Sequence, residues 1–112
     1  MSLNSLMSLA FRTIEFKIEG NEFKVKELSH EDFKKYQKTL FTVKNGIKEW
    51  HTENIKIGLV KACLVDEDGK KLFKASDDSL IDRLPERLID EIFKQAEKVN
   101  SLDETEEEKI KN

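Results

Sequence analysis

From Thr13 to Leu28 apolar and polar positions alternate, with Ile14, Phe16 and Ile18 on one side and Glu15, Lys17 and Glu19 on the other. This period of two is the pattern of a half-buried strand. Gly20-Asn21 supplies a turn signal, because glycine takes positive φ at the first central position of a type II′ turn without a Cβ clash. Folding about that turn predicts Ile18 opposite Phe23, Phe16 opposite Val25 and Glu15 facing Lys26. Two strands alone are marginal in water, so the apolar face of this hairpin predicts a helical cover.

The periodicity then changes. Ser29 is a suitable N-cap, and Asp32 three residues on approximates a capping box. Phe33, Tyr36, Leu40, Val43 and Ile47 recur at helical spacing, predicting one helix over this stretch with Gly46 leaving its end unfixed by several residues. Lys48 to Asn54 is polar apart from Trp50, and Thr52 or Asn54 can cap the next helix. That helix, Ile55 to Val65, is interrupted only by Lys56, Gly58 and Lys61, which marks it as the buried centre of the domain. It breaks at Asp66-Glu67-Asp68-Gly69, where Gly69 is suited to a left-handed helix exit. A short helical turn is expected over Ser79 to Leu84. Pro85, whose missing N–H costs little in a first turn, opens the last helix. Its stripe Leu88, Ile89, Ile92, Phe93, Ala96 and Val99 opposes Asp90, Glu91, Lys94, Glu97 and Lys98.

These elements predict an α+β fold: a mainly helical single domain over residues 13–102, with an N-terminal β-hairpin packed on three main helices. Residues 1–12 read as a disordered leader or cloning scar, since Met1-Ser2-Leu3 recurs as Met7-Ser8-Leu9. Residues 103–112 carry five acids and one apolar residue and read as a flexible acidic tail.

Charge sharpens this picture. The net charge of −3 resides wholly in that tail, leaving 18 acids against 18 Lys and Arg in the body, so no basic surplus exists to condense on phosphates. A nucleic-acid partner is therefore not expected. No apolar run approaches the roughly 20 residues of a membrane span, and the first eleven residues lack the positive start of a secretory signal.

Catalytic and metal-ligating patterns are sparse. Asp66, Asp68 and Gly69 form a fragment of a calcium loop, but the position six after Gly69 is Ala75 where an acid is required. His30, His51 and the lone Cys63 lack zinc-ligand spacing, and Cys63 in an apolar helix reads as a small buried hydrophobe. One cysteine permits no intramolecular disulfide, which suits a reducing cytosol. The four glycines are scattered and form no phosphate loop. Neither enzyme activity nor a cofactor is expected. Trp50 remains open between two roles, closing the edge of the core or anchoring a partner.

The order of elements carries a resemblance. A hairpin at Ile18 to Val25 leads into the capped helix at Ser29-His30-Glu31-Asp32-Phe33. Then come Leu59-Val60-Lys61-Ala62-Cys63-Leu64-Val65-Asp66-Glu67-Asp68-Gly69-Lys70-Lys71-Leu72-Phe73 and the helix opening Leu84-Pro85. Over Thr13 to Leu102 this resembles the tail assembly chaperones of long-tailed bacteriophages. The resemblance implies a non-enzymatic protein that coats the tape measure protein in the host cytoplasm, self-associates along it, and is absent from the mature virion. It also implies a longer frameshifted form that recruits tail-tube protein; the ending Lys109-Ile110-Lys111-Asn112 is compatible with an A-rich slippery site. The rival reading is a structural tail component, a connector or completion protein, retained in the virion. A chaperone of this kind needs apolar surface left over after folding. Candidates are Phe41, Trp50 and the stripe Leu88, Ile92, Phe93, Ala96 and Val99, although the stripe equally serves to close the core.

Overall fold

A computed structural model describes residues 2–101. In chain order the elements are α1 (Leu3–Met7), β1 (Thr13–Ile18), β2 (Asn21–Lys26), α2 (His30–Leu40), β3 (Phe41–Lys44) and β4 (Ile47–Trp50). There follow α3 (Glu53–Cys63), β5 (Leu64–Val65), a 3-10 turn (Ala75–Asp77), α4 (Asp78–Ile81) and α5 (Glu86–Asn100). The domain is α+β, as the patterning predicts, with α2, α3 and α5 as its three main helices. The short α1 buries none of its residues. The expected acidic tail, Asp103 to Asn112, lies outside the described residues.

The first hairpin forms with a different register. Glu19 and Gly20 are its central turn residues, both at positive φ (51° and 84°), the signature of a type I′ turn whose twist suits the flanking strands. Ile18 therefore pairs with Asn21, Phe16 with Phe23, Ile14 with Val25 and Glu15 with Lys24. The shift from the predicted register is two residues, so the apolar set keeps its face. Phe16 and Phe23 pack with ring centroids 5.9 Å apart.

The expected cover for this face was the helix after Ser29; instead α5 lies against both β1 and β2, while α2 packs chiefly on α3. Ser29 caps α2 as predicted, its hydroxyl accepting the Asp32 N–H at 3.1 Å. Asp32 does not complete the box: its carboxylate pairs with Lys71 at 3.2 Å.

Two predicted helices end early. α2 stops at Leu40, because Asn45 and Gly46 adopt φ of 52° and 78° and fold Phe41 to Trp50 into a second hairpin. Val43 and Ile47, placed on the helical stripe by spacing, belong to its strands. α3 stops at Cys63, and Leu64-Val65 leave the helix to pair with Val25 and Lys24 of β2. This completes a sheet of order β1-β2-β5. Gly69 (φ 84°) is not a helix exit but part of a tight turn that returns Lys71 to bridge Val65. Asp66 organises that turn, its Oδ1 accepting the N–H groups of Asp68 (2.9 Å) and Lys70 (3.0 Å).

Val25, Leu59, Val60, Cys63, Leu64, Ile81, Ile89, Ile92, Ala96 and Val99 form the core between sheet, α3 and α5. Each fully buried branched side chain contributes about 1.5–3 kcal/mol by leaving water. On the rim, Lys56 of α3 donates to Glu86 (3.0 Å) and Asp90 at the start of α5, which raises the lysine's pKa through those hydrogen bonds. Asn100 closes the far end of the same pair, bonding to Leu28, Ala96 and Cys63.

Candidate functional site: an apolar hairpin arm

The chain from Phe41 to Trp50 departs from the body because no core residue comes from it. Both strands are four residues long and pair only with each other. Register sets Phe41 against Trp50 and Val43 against Lys48, so those four share one face; Thr42, Glu49, Lys44 and Ile47 take the other. The arm is tied at its base, where His51 N–H donates to Leu40 C=O at 2.7 Å and the Asn54 side chain donates to Thr39 C=O at 2.6 Å.

The aromatic face is built from three residues. Phe41 and Trp50 are tilted at 56° with centroids 5.2 Å apart. The Lys48 ammonium lies 4.7 Å from the Phe41 ring centroid and 5.9 Å from that of Trp50, so its cation sits over the aromatic pair. Trp50 remains 59% exposed, Val43 58% and Ile47 71%. This much apolar side chain on a two-stranded ribbon exceeds what folding needs.

The seven residues singled out by sequence do not form one patch. Phe41 and Trp50 meet on the arm. Ile92, Ala96 and Val99 lie in the core, Phe93 is half-buried against it, and Leu88 is half-buried. The α5 stripe is largely consumed in covering α3 and the sheet, so exposed apolar side chains remain on the arm and on the N-terminal segment, where Leu3, Leu6, Met7, Leu9 and Phe11 face solvent. Val43 and Ile47 were missed as surface residues because their spacing also fits a helix. The Asn45-Gly46 dipeptide, a strong hairpin signal, would have found them.

Cys63 is fully buried and its pKa is pushed up to about 11 by that burial, with Asn100 Nδ2 donating to its sulfur at 3.3 Å. His51 shares a 3.2 Å contact with Thr42, and His30 is exposed. Among the described residues no group of three or more His, Cys, Asp and Glu side chains is placed to hold a metal ion. No helix among them is long and apolar enough to cross a membrane.

No protein-family model matches the chain, and no curated protein matches it. Among solved structures the fold is similar to that of the bacteriophage HK97 tail assembly chaperone, with a TM-score of 0.59 at 18% identity. The likeness covers 86% of this chain and 95% of that one. The chain thus has a tail-assembly-chaperone-like fold.

Proposed function

We propose that this protein is a phage tail assembly chaperone that acts by binding and not by catalysis, with the β3–β4 arm as its substrate-contacting surface. The observation that carries this reading is the arm itself, which holds Trp50, Val43 and Ile47 in water on a fold shared with a chaperone of that class. An apolar ribbon suits a long helical client such as the tape measure protein, whose own apolar stripe needs cover until the tube assembles around it. Several copies side by side would be required along such a client. Recruitment of tube subunits belongs, in this reading, to a longer frameshifted form, and the chaperone works in the host cytoplasm and departs before the virion is complete.

Trp50 is the sole tryptophan of the chain, so its fluorescence reports on the arm without interference. Titration with the tape measure protein of the same phage is expected to shift its emission to the blue. Co-expression should keep that protein soluble, and Trp50→Ala with Val43→Ser should abolish the effect while the helical circular dichroism is unchanged. Abundant copies of this chain in purified virions would instead support the retained structural component.

A further inference from the structure

The order β1-β2-β5 leaves β1 at the edge of its sheet. Ile18 pairs with Asn21 across the two-residue turn, and Glu27 N–H donates to Arg12 C=O at 2.9 Å. Arg12, Ile14, Phe16 and Ile18 therefore direct their backbone groups toward β2. By the alternation of an antiparallel ladder, the N–H and C=O groups of Thr13, Glu15 and Lys17 point to the open side. No residue of the short helix α1 is buried, and among the described residues no strand pairs with β1 on that side. An unpaired edge of six residues is a template for another strand.

We propose that β1 pairs antiparallel with β1 of a second copy across a two-fold axis at Phe16, joining two three-stranded sheets into one of six. The argument is one of register and charge. Donors meet acceptors only if the outward residues pair among themselves. Three two-fold registers satisfy that near the centre of the strand. One sets Glu15 against Glu15 and a second sets Lys17 against Lys17, placing like charges on the axis. The third sets Glu15 of one copy opposite Lys17 of the other, twice by symmetry, with Phe16 against Phe16 and Ile14 against Ile18. Only this register matches charge on one face and apolar side chains on the other. Its competitors within the chain are weak: Lys17 meets Glu22 at 3.8 Å with both side chains exposed, and among the described residues Glu15 makes no ion pair. Charged edge residues ordinarily discourage pairing; here their spacing is self-complementary.

An edge contact of this kind is far smaller than a standard interface, so the dimer is weak and concentration-dependent. It stands apart from the tail-assembly reading, since no phage partner is needed to measure it. Sedimentation equilibrium of the full chain at rising concentration should reveal dimers. Glu15→Lys and Lys17→Glu should each weaken them by about tenfold, because each puts like charges at both symmetric positions. An equimolar mixture of the two variants should restore dimerisation, since the mixed pair regains opposite charges. Monomer at every concentration overturns the proposal. So does association that either variant leaves intact or that mixing fails to recover.

Discussion

Asn100 offers the sharpest test of how the domain is closed. As the last residue of α5 it accepts the Leu28 N–H on Oδ1 at 2.9 Å, and its Nδ2 donates to Ala96 C=O at 2.8 Å and Cys63 Sγ at 3.3 Å. Leu28 lies between β2 and α2, where no ladder serves its amide. Replacing Asn100 with alanine orphans that half-buried N–H, at a cost of about 1–2 kcal/mol, the lower part of the range for a buried unmade bond. Ala96 C=O stays within the helix ladder, and the sulfur contact adds only a few tenths. Alanine's better helix propensity returns roughly 0.3 kcal/mol at a helix end. The net expectation is about 1–2 kcal/mol, or a midpoint lowered by about 5–12 °C in a domain of this size. Thermal and urea melts followed by helical circular dichroism measure it, and amide exchange at Leu28 should accelerate. Stability within about 0.3 kcal/mol of the parent, with Leu28 exchange unchanged, would refute the assignment of Asn100 as the closing residue.

Other perturbations separate core from arm. Ile89→Ala, at a fully buried site, should cost about 2–5 kcal/mol in urea melts, enough to unfold a marginal domain. Gly58→Ala places a Cβ 3.2 Å from two carbons of the Tyr36 ring, whose hydroxyl is held by Ile55 C=O at 2.8 Å. Crowding there should outweigh the helix gain of about 1 kcal/mol, so thermal melts should show net loss. Cys63 titrates near 11 when folded and near its ordinary value of 9.0 when unfolded, so stability from the buried thiol is complete below the lower value. It falls as pH rises from one to the other, and comparison with Cys63→Ala in alkaline urea melts should show the parent losing stability more steeply. Gly46→Val, forcing a β-branched residue to φ 78°, should fray the arm while leaving the core melt in place, as amide exchange at β3 and β4 would show.

Alternation at Ile14, Phe16 and Ile18, the Ser29 cap and the stripe of α5 each rest on interactions spanning a few residues, and each was legible in the chain. The apolar run from Ile55 to Val65 was legible as the buried centre too, although the helix itself ends at Cys63. The hairpin register was not, because Glu19-Gly20 and Gly20-Asn21 both make acceptable turns and strand twist selects between them. Leu64-Val65 extend a helical pattern, yet β2 offered an unpaired edge whose hydrogen bonds lie outside any local window. Val43 and Ile47 satisfied a helical period by coincidence, and positive φ at Asn45-Gly46 overruled it.

The same division holds for the candidate site. Sequence marked Phe41 and Trp50 as candidates for spare apolar surface, but it could not say which apolar side chains folding would consume. Burial is a sum over distant neighbours: α5 lost Ile92, Ala96 and Val99 to the core because sheet and α3 meet them there. Local patterning thus determined the first hairpin, the capped start of α2 and the apolar faces of α3 and α5. Tertiary packing alone decided which of those faces remain in water.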